Sequence, residues 1–235
     1  MERFLFHAEA YALTGRFTLP FEDVIPVQAM ATLPITGGFG TARVDDFDYR
    51  NLVGFRRAVA SVSGGQSKAD RDGRGPYVSR STIEIAGLSV MGMVTADKIF
   101  ATVSTSIPFA GGEASIYVQA GFENLRIAGE AVPDTLDAAF FNRFPQWSQL
   151  TAEAAKNSTN QLALPVGSSY RNDVRGFSLV KPSEITVPNF GKVYLAELFV
   201  TPSSRRISMI RIDLGCPEEG GIEIGGSGAN GVGWP

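Results

Sequence analysis

The sequence predicts a mainly β fold, a β-sandwich or jelly-roll-like domain with one short helical insertion. Three observations carry that expectation. Apolar and polar residues alternate with a period of two, β-branched and aromatic residues dominate those runs, and Gly or Pro bounds nearly all of them. Between about ten and thirteen strands fit the pattern, within a single domain spanning 1–235.

The N-terminal strand is the clearest element. Phe4, Phe6, Ala8, Ala10 and Ala12 fall on one of its faces, and Leu5, His7, Glu9, Tyr11 and Leu13 on the other. Gly15 and Pro20 punctuate the next stretch. The polar, Gly-rich stretch 64–75 reads as the tip of a long hairpin. Ile99, Ala101, Val103, Thr105 and Ile107 then share one side of a strand, and Ile116, Val118, Ala120 and Phe122 repeat the pattern. Residues 134–157 break it. Leu136, Ala139, Phe140, Phe144, Trp147, Leu150 and Ala154 follow helical spacing, which predicts a helical pair with Asp134 capping the first member and Pro145 in the first turn of the second. The β pattern resumes near Gly176, with Tyr194, Ala196, Leu198 and Val200 alternating, and then Ile210, Ile212 and Leu214.

Residues 220–235 hold seven glycines in sixteen positions and read as a Gly-rich C-terminal tail, ordered only if it docks on this chain or a neighbour. No repeat has a fixed period. Stretch 85–94 nevertheless resembles 122–132, each pairing a short apolar strand with a Gly and a further strand. Such an echo keeps a β-solenoid as the alternative, while the irregular spacing favours the sandwich.

Composition excludes several partners. With 21 basic and 24 acidic residues the net charge is −3, so no basic excess is available for nucleic acid. No basic block suits an anionic membrane, and no run approaches the ~20 apolar residues of a membrane span. Apolar residues make up 44% of the chain, with 16 Phe, ample for a core. The single Cys216 excludes an intrachain disulfide, so packing alone must hold the fold, and it points mildly to a reducing compartment. Residues 1–9 have neither a basic n-region nor a long apolar h-region, so they do not read as a signal peptide, and the chain is expected either in the cytoplasm or to be an exported protein given without its signal.

No catalytic constellation is legible. Any Ser-His-Asp or Cys-His arrangement would need His7, the only histidine, and no Gly-x-Ser-x-Gly surrounds a serine. Glu9 could pair with His7 from the same strand face, and a satisfied strand histidine is the preferred reading. One His and one Cys far apart do not make a zinc site. Asp45, Asp46 and Asp48, and separately Asp70 and Asp72, resemble fragments of calcium loops, but the second group lacks a closing Glu and Arg71 and Arg74 oppose a cation. Gly226, Gly228 and Gly231 match G-x-G-x-x-G literally, yet only four residues come after the match, too few for the helix that motif needs, so it reads as tail or turn and no cofactor is expected. Glu9, Glu84, Glu113, Glu123 and Glu197 lie in or beside expected strands and read as solvated charges, not a glycosidase pair.

Two stretches carry a family resemblance. The run 87–101, GLSVMGMVTADKIFA, and the later 185–197, ITVPNFGKVYLAE, resemble segments of choice-of-anchor P type bacterial surface proteins, with 122–129 and 207–231 similar in order over about half the chain. The resemblance implies an extracellular or cell-surface β protein with no assigned activity, and it supplies no site residues.

Together these readings point to a non-enzymatic structural or assembly protein that associates with itself through strand edges and chain ends. Phe4, Phe6 and Trp234 are the expected assembly contacts. The alternative is a carbohydrate-binding module or glycan-active enzyme, with Tyr49, Tyr77, Tyr170 or Trp234 as stacking platforms.

Overall fold

The computed structural model describes residues 3–68, 75–132, 142–156, 169–170, 183–200, 204–215 and 217–234. Fifteen strands and one helix are present among them, and the strands form two packed, mainly antiparallel sheets with no closed barrel. This is a β-sandwich, as expected.

The first sheet, sheet A, is built from both ends of the chain. β1 (Arg3–Leu19) pairs on one side with β15 (Glu219–Trp234) and on the other with β2 (Asp23–Gln28) and β3 (Ala31–Thr32). β15 continues to β14 (Arg205–Leu214) and β13 (Gly191–Val200), whose far edge carries β12 (Ser183–Val187) and the short parallel β11 (Ser169–Tyr170). Sheet B runs β4 (Gly38–Tyr49), β5 (Val53–Gln66), β6 (Tyr77–Val90), β7 (Val94–Ile107), with β8 (Ser115–Glu123) and the β9–β10 hairpin (Arg126–Ile127, Glu130–Ala131) sharing the last edge. β5 and β6 pair as the hairpin expected about the Gly-rich stretch, out to Gln66 opposite Tyr77, while residues 69–74 of that stretch lie outside the described residues.

The Gly-rich C-terminus is not a tail. It is a sixteen-residue strand in the middle of sheet A, bonded on both sides and docked on its own chain. Glycine is a poor strand former because it has no side chain to pack. Here neighbouring rings supply the missing cover. A Cβ at Gly226 would collide with the Tyr11 ring, and one at Gly231 would lie 2.5 Å from the Phe4 ring. The inner face of β15, where Gly231 and the Phe4 ring also lie, is equally small, and it meets sheet B directly. Ser227 and Ser81 hydroxyls bond across the sandwich at 2.6 Å, and the Thr105 hydroxyl donates to the Ala229 carbonyl at 2.6 Å. Buried Ala8, Ala10, Ala58, Ala60 and Ala101 let the sheets approach closely here, while Phe17, Ile25, Ile83, Ile85, Ile99 and Ile212 fill the space further along.

One irregularity crosses each sheet from edge to edge. In sheet B, Asp46, Gly87 and Asn124 have positive φ (51°, 69° and 51°), and Arg56 and Asp97 lie between them on the intervening strands. In sheet A the corresponding row is Ala29 (48°), Ala12, Gly225 (69°), Met209 and Ala196 (48°). At each row the pairing register is kept but the inward face changes parity. Phe6, Ala8 and Ala10 point inward before it, Leu13 and Phe17 after it, so the expectation that Leu13 opposes the Phe6 face is corrected.

In sheet B each positive-φ residue stands four positions before a tight turn: Arg50-Asn51, Met91-Gly92 and Ala128-Gly129, all with positive φ at both residues. That geometry is the hairpin turn matched to strand twist. Adjacent turns are bonded to one another, Met91 N–H to the Leu52 carbonyl at 2.6 Å and Ala128 N–H to the Met93 carbonyl at 2.7 Å. The resemblance between 85–94 and 122–132 therefore has a structural cause, inside a sandwich and not a solenoid.

The helix α1 (Trp147–Lys156) lies in the expected insertion, with Leu150 fully buried and Phe144 and Trp147 packed on the core. Pro145 precedes the helix and does not sit in its first turn. Its carbonyl instead accepts the Ile116 N–H of β8 at 2.8 Å. Gln149 accepts the Gln146 N–H at 3.2 Å, the return half of a capping box. The first expected helix, including Asp134, Leu136, Ala139 and Phe140, lies outside the described residues for 133–141.

Replacing Gly226 with Val drives branched carbon into the Tyr11 ring and is expected to destabilise the fold by about 1–3 kcal/mol, read from the urea midpoint. Gly233→Ala, where a Cβ meets nothing within 4 Å, should stay within about 0.5 kcal/mol of the parent. Ending the chain at Gly220 removes the strand beside β1. Such a chain should lose the cooperative thermal transition seen by circular dichroism, and a retained transition would contradict a central β15.

Candidate interaction surfaces

The residues expected to make assembly contacts are mostly used internally. Phe6 is buried in the core, and Phe4 stacks on Tyr77 with ring centroids 4.2 Å apart. Trp234 ends β15 opposite Arg3. The expected stacking tyrosines are likewise engaged. Tyr49 stacks on Phe17 at 5.8 Å and donates to Asp23, and Tyr77 packs against Phe4 and Phe109. Tyr170 lies in β11, paired with Leu198. The Asp23 carboxyl, held by Tyr49 first and by the Val24 N–H second, is shifted below the ordinary carboxylate range.

The acidic clusters are not gathered into one place. Asp45 is held by Arg43 at 2.7 Å, Asp48 accepts the Asn51 N–H in the adjoining turn, and Asp46 occupies the positive-φ position. Asp70, Asp72 and Cys216 lie outside the described residues. Among the described residues no three His, Cys, Asp or Glu converge as metal ligands. Gly226, Gly228 and Gly231 belong to β15 and open no helix. Glu84 pairs with Lys98 at 3.1 Å.

Sheet A carries on its outer face a charge network that residue spacing did not reveal. Arg206 on β14 donates to Tyr11 on β1 and to Glu223 on β15 at 2.6 Å. Arg211 grips Glu197 at 2.7 and 3.2 Å and Asp213 twice at 2.8 Å, and its guanidinium lies 3.7 Å over the Tyr194 ring. Between the two arginines, a groove of about 220 Å³ has Ser208 on its floor. Burial lowers the proton affinity of Arg211, but its bonds to Glu197 and Asp213 outweigh that and raise it. Burial, reinforced by the Glu223 carboxylate and opposed by Arg206, pushes the Tyr11 phenol well above its ordinary value. The network fastens four neighbouring strands. Its cations are matched to carboxylates, an arrangement suited to rigidity.

His7 lies at one end of the sandwich, on the rim of a cavity of about 660 Å³. Apolar Leu5, Phe6, Ile35 and Ile107 form part of its wall, and Glu113, Trp147 and Arg205 also line it. Arg205 is only 3% exposed, and its backbone N–H donates to Asn230 at 2.7 Å. Burial lowers its proton affinity, with Glu113 pulling the other way. Glu113 accepts the Ser148 N–H at 2.6 Å and its hydroxyl at 2.5 Å, so the carboxylate caps α1 where the helix dipole favours a negative charge. The expected Glu9 partner is not bonded to His7.

Sheet edges differ in how far they are closed. The β8 edge is covered: the Asn142 side chain bonds both the Val118 N–H (3.0 Å) and its carbonyl (3.1 Å), and Pro145 takes the Ile116 N–H. On the opposite side of the sandwich, β2 and β4 end their sheets with no further strand beyond them among the described residues. Residues 4–175 match the family model described as Domain of unknown function (DUF8256). The chain belongs to the DUF8256 family. The DUF8256 segment contains all of sheet B with β1–β3 and β11, while β12–β15, including the partner strand of β1, lie beyond it. No curated protein and no solved structure matches the chain.

The Tyr11 geometry gives an alkaline prediction. Because the folded state holds the phenolic proton more tightly, its contribution is intact below the unfolded tyrosine value of about 10 and is lost as pH rises above that. Tyr11→Phe should flatten that alkaline fall in urea stability. An unchanged alkaline limb would assign the fall to other groups.

Proposed function

We propose that this protein is a non-enzymatic structural module that associates with further copies of itself through the open side of the sandwich. One observation carries the reading. Of the eight large apolar side chains that are exposed among the described residues, Leu19, Val24, Val27, Met30 and Ile35 lie along the single stretch from the last residue of β1 to the start of β4. Water contact with that much apolar surface is unfavourable, and clustered exposed apolar residues mark interaction sites.

The mode of contact differs from simple strand addition. Both terminal strands pair in the interior of sheet A within this chain, so neither offers an open edge. Pro26 lacks an N–H within β2, and β4 is kinked at Asp46 and charged at Arg43, Asp45 and Asp48, all devices that discourage edge pairing. Side-chain packing of the apolar strip therefore supports association better than a continued sheet does. The resemblance of 87–101 and 185–197 to bacterial surface proteins is in keeping with a structural role. No helix among the described residues is long and apolar enough to cross a membrane.

The test is light scattering coupled to size-exclusion chromatography over a concentration series, with a Val24→Asp, Val27→Asp double variant beside the parent. The parent should form a defined oligomer that the variant reduces to monomer with an unchanged melting temperature. A parent that stays monomeric, or an oligomer indifferent to both substitutions, would overturn the proposal.

A further inference from the structure

The outer face of sheet B carries two cross-strand rows of a distinct composition. Register places Phe39, Ser63, Arg80, Ser104 and Tyr117 side by side on β4 to β8. The neighbouring row is Thr41, Ser61, Thr82, Thr102 and Gln119. Their chain neighbours Val62, Ser81, Val103 and Val118 are buried, so both rows face away from sheet A; Thr102 is itself buried, and Phe39, Thr41, Ser63, Arg80, Tyr117 and Gln119 are the open members. The Thr82 and Thr102 hydroxyls are 3.2 Å apart, and a groove of about 440 Å³ runs beside Phe39 over Thr41, Ser61, Ser63 and Thr82.

Aromatic rings stand at both ends of the first row. Phe39 is 82% exposed and Tyr117 47%. Four interstrand steps separate them, about 19 Å at the usual spacing of ~4.8 Å. Between the rings lie hydroxyls, an amide and one guanidinium. We propose that this face binds an extended, uncharged polysaccharide, laid across the strands with sugar rings on Phe39 and Tyr117 and sugar hydroxyls on the Ser and Thr rows.

Charge and polarity select that partner. Of ten residues in the two rows only Arg80 is charged, too little for a phosphate backbone or an anionic bilayer. Only the two end residues are apolar, too few for a protein interface core, which is depleted of such polar groups. A peptide would add along an edge, not cross five strands that are already paired. A neutral polyhydroxyl chain offers donors and acceptors to every hydroxyl and a flat apolar ring face to each aromatic. The inference is separate from self-association, whose strip lies on β2 and its flanks.

Affinity electrophoresis tests it, with the full chain run through gels containing cellulose derivatives, xyloglucan, starch or, as the charged control, alginate. At least one neutral polymer should retard the protein. Phe39→Ala and Tyr117→Ala, both exposed positions, should each weaken that retardation roughly five- to tenfold. The Val24→Asp, Val27→Asp variant should bind as the parent does, separating this result from that for self-association. Failure of all neutral polymers, retardation by alginate alone, or neutral binding insensitive to both aromatic substitutions would each overturn the proposal.

Discussion

The pairing of β1 with β15 is the constraint on which the rest of the structure depends. It joins the two ends of the chain in the centre of sheet A, and the other strands of that sheet build outward from these two. Small residues make the pairing work in the third dimension as well. Ser227 and Ala229 sit close enough to sheet B for direct hydrogen bonds, Gly231 leaves room for Phe4 on that same inner face, and Gly226 leaves room for Tyr11 on the outer one. A larger residue at either side would part the sheets or displace a ring.

The rows of positive-φ residues are the second constraint. A strand with simple alternation would have to present one parity inward along its whole length. Here each strand changes parity at the row, and the neighbours change with it, so the ladder register survives. Non-glycine residues in this conformation are costly, by about 1–2 kcal/mol each, and the aligned rows show how the cost is held: every strand at the row is paired on both sides or lies next to one that is. Asn124 also donates to Asp97 at 2.6 Å, a bond between adjacent members of the row.

Charge is distributed according to what each face does. The outer face of sheet A holds its arginines against carboxylates and a tyrosine ring, which stiffens four strands. The outer face of sheet B is hydroxyl-rich and nearly neutral between its two aromatic ends. The open side carries the apolar strip, and the β8 edge is sealed by Asn142 and Pro145. A single fold thus presents a locked surface, a polar surface and an apolar one.

Sequence by itself determined the fold class, the presence of a helix near 147–156, the hairpin around 64–75 and the kinship of 85–94 with 122–132. Each is a local property, set by period-two alternation, turn residues or helical spacing within a few neighbours. Only the tertiary structure decided that the glycines of 220–235 form a central strand, because the rings that cover them come from β1, more than two hundred residues earlier. It also decided the pairing of Tyr11 with Arg206 and the alignment of Phe39 with Tyr117. Those relations depend on strand order and register, which arise from contacts distant in the chain and leave no periodic trace along it.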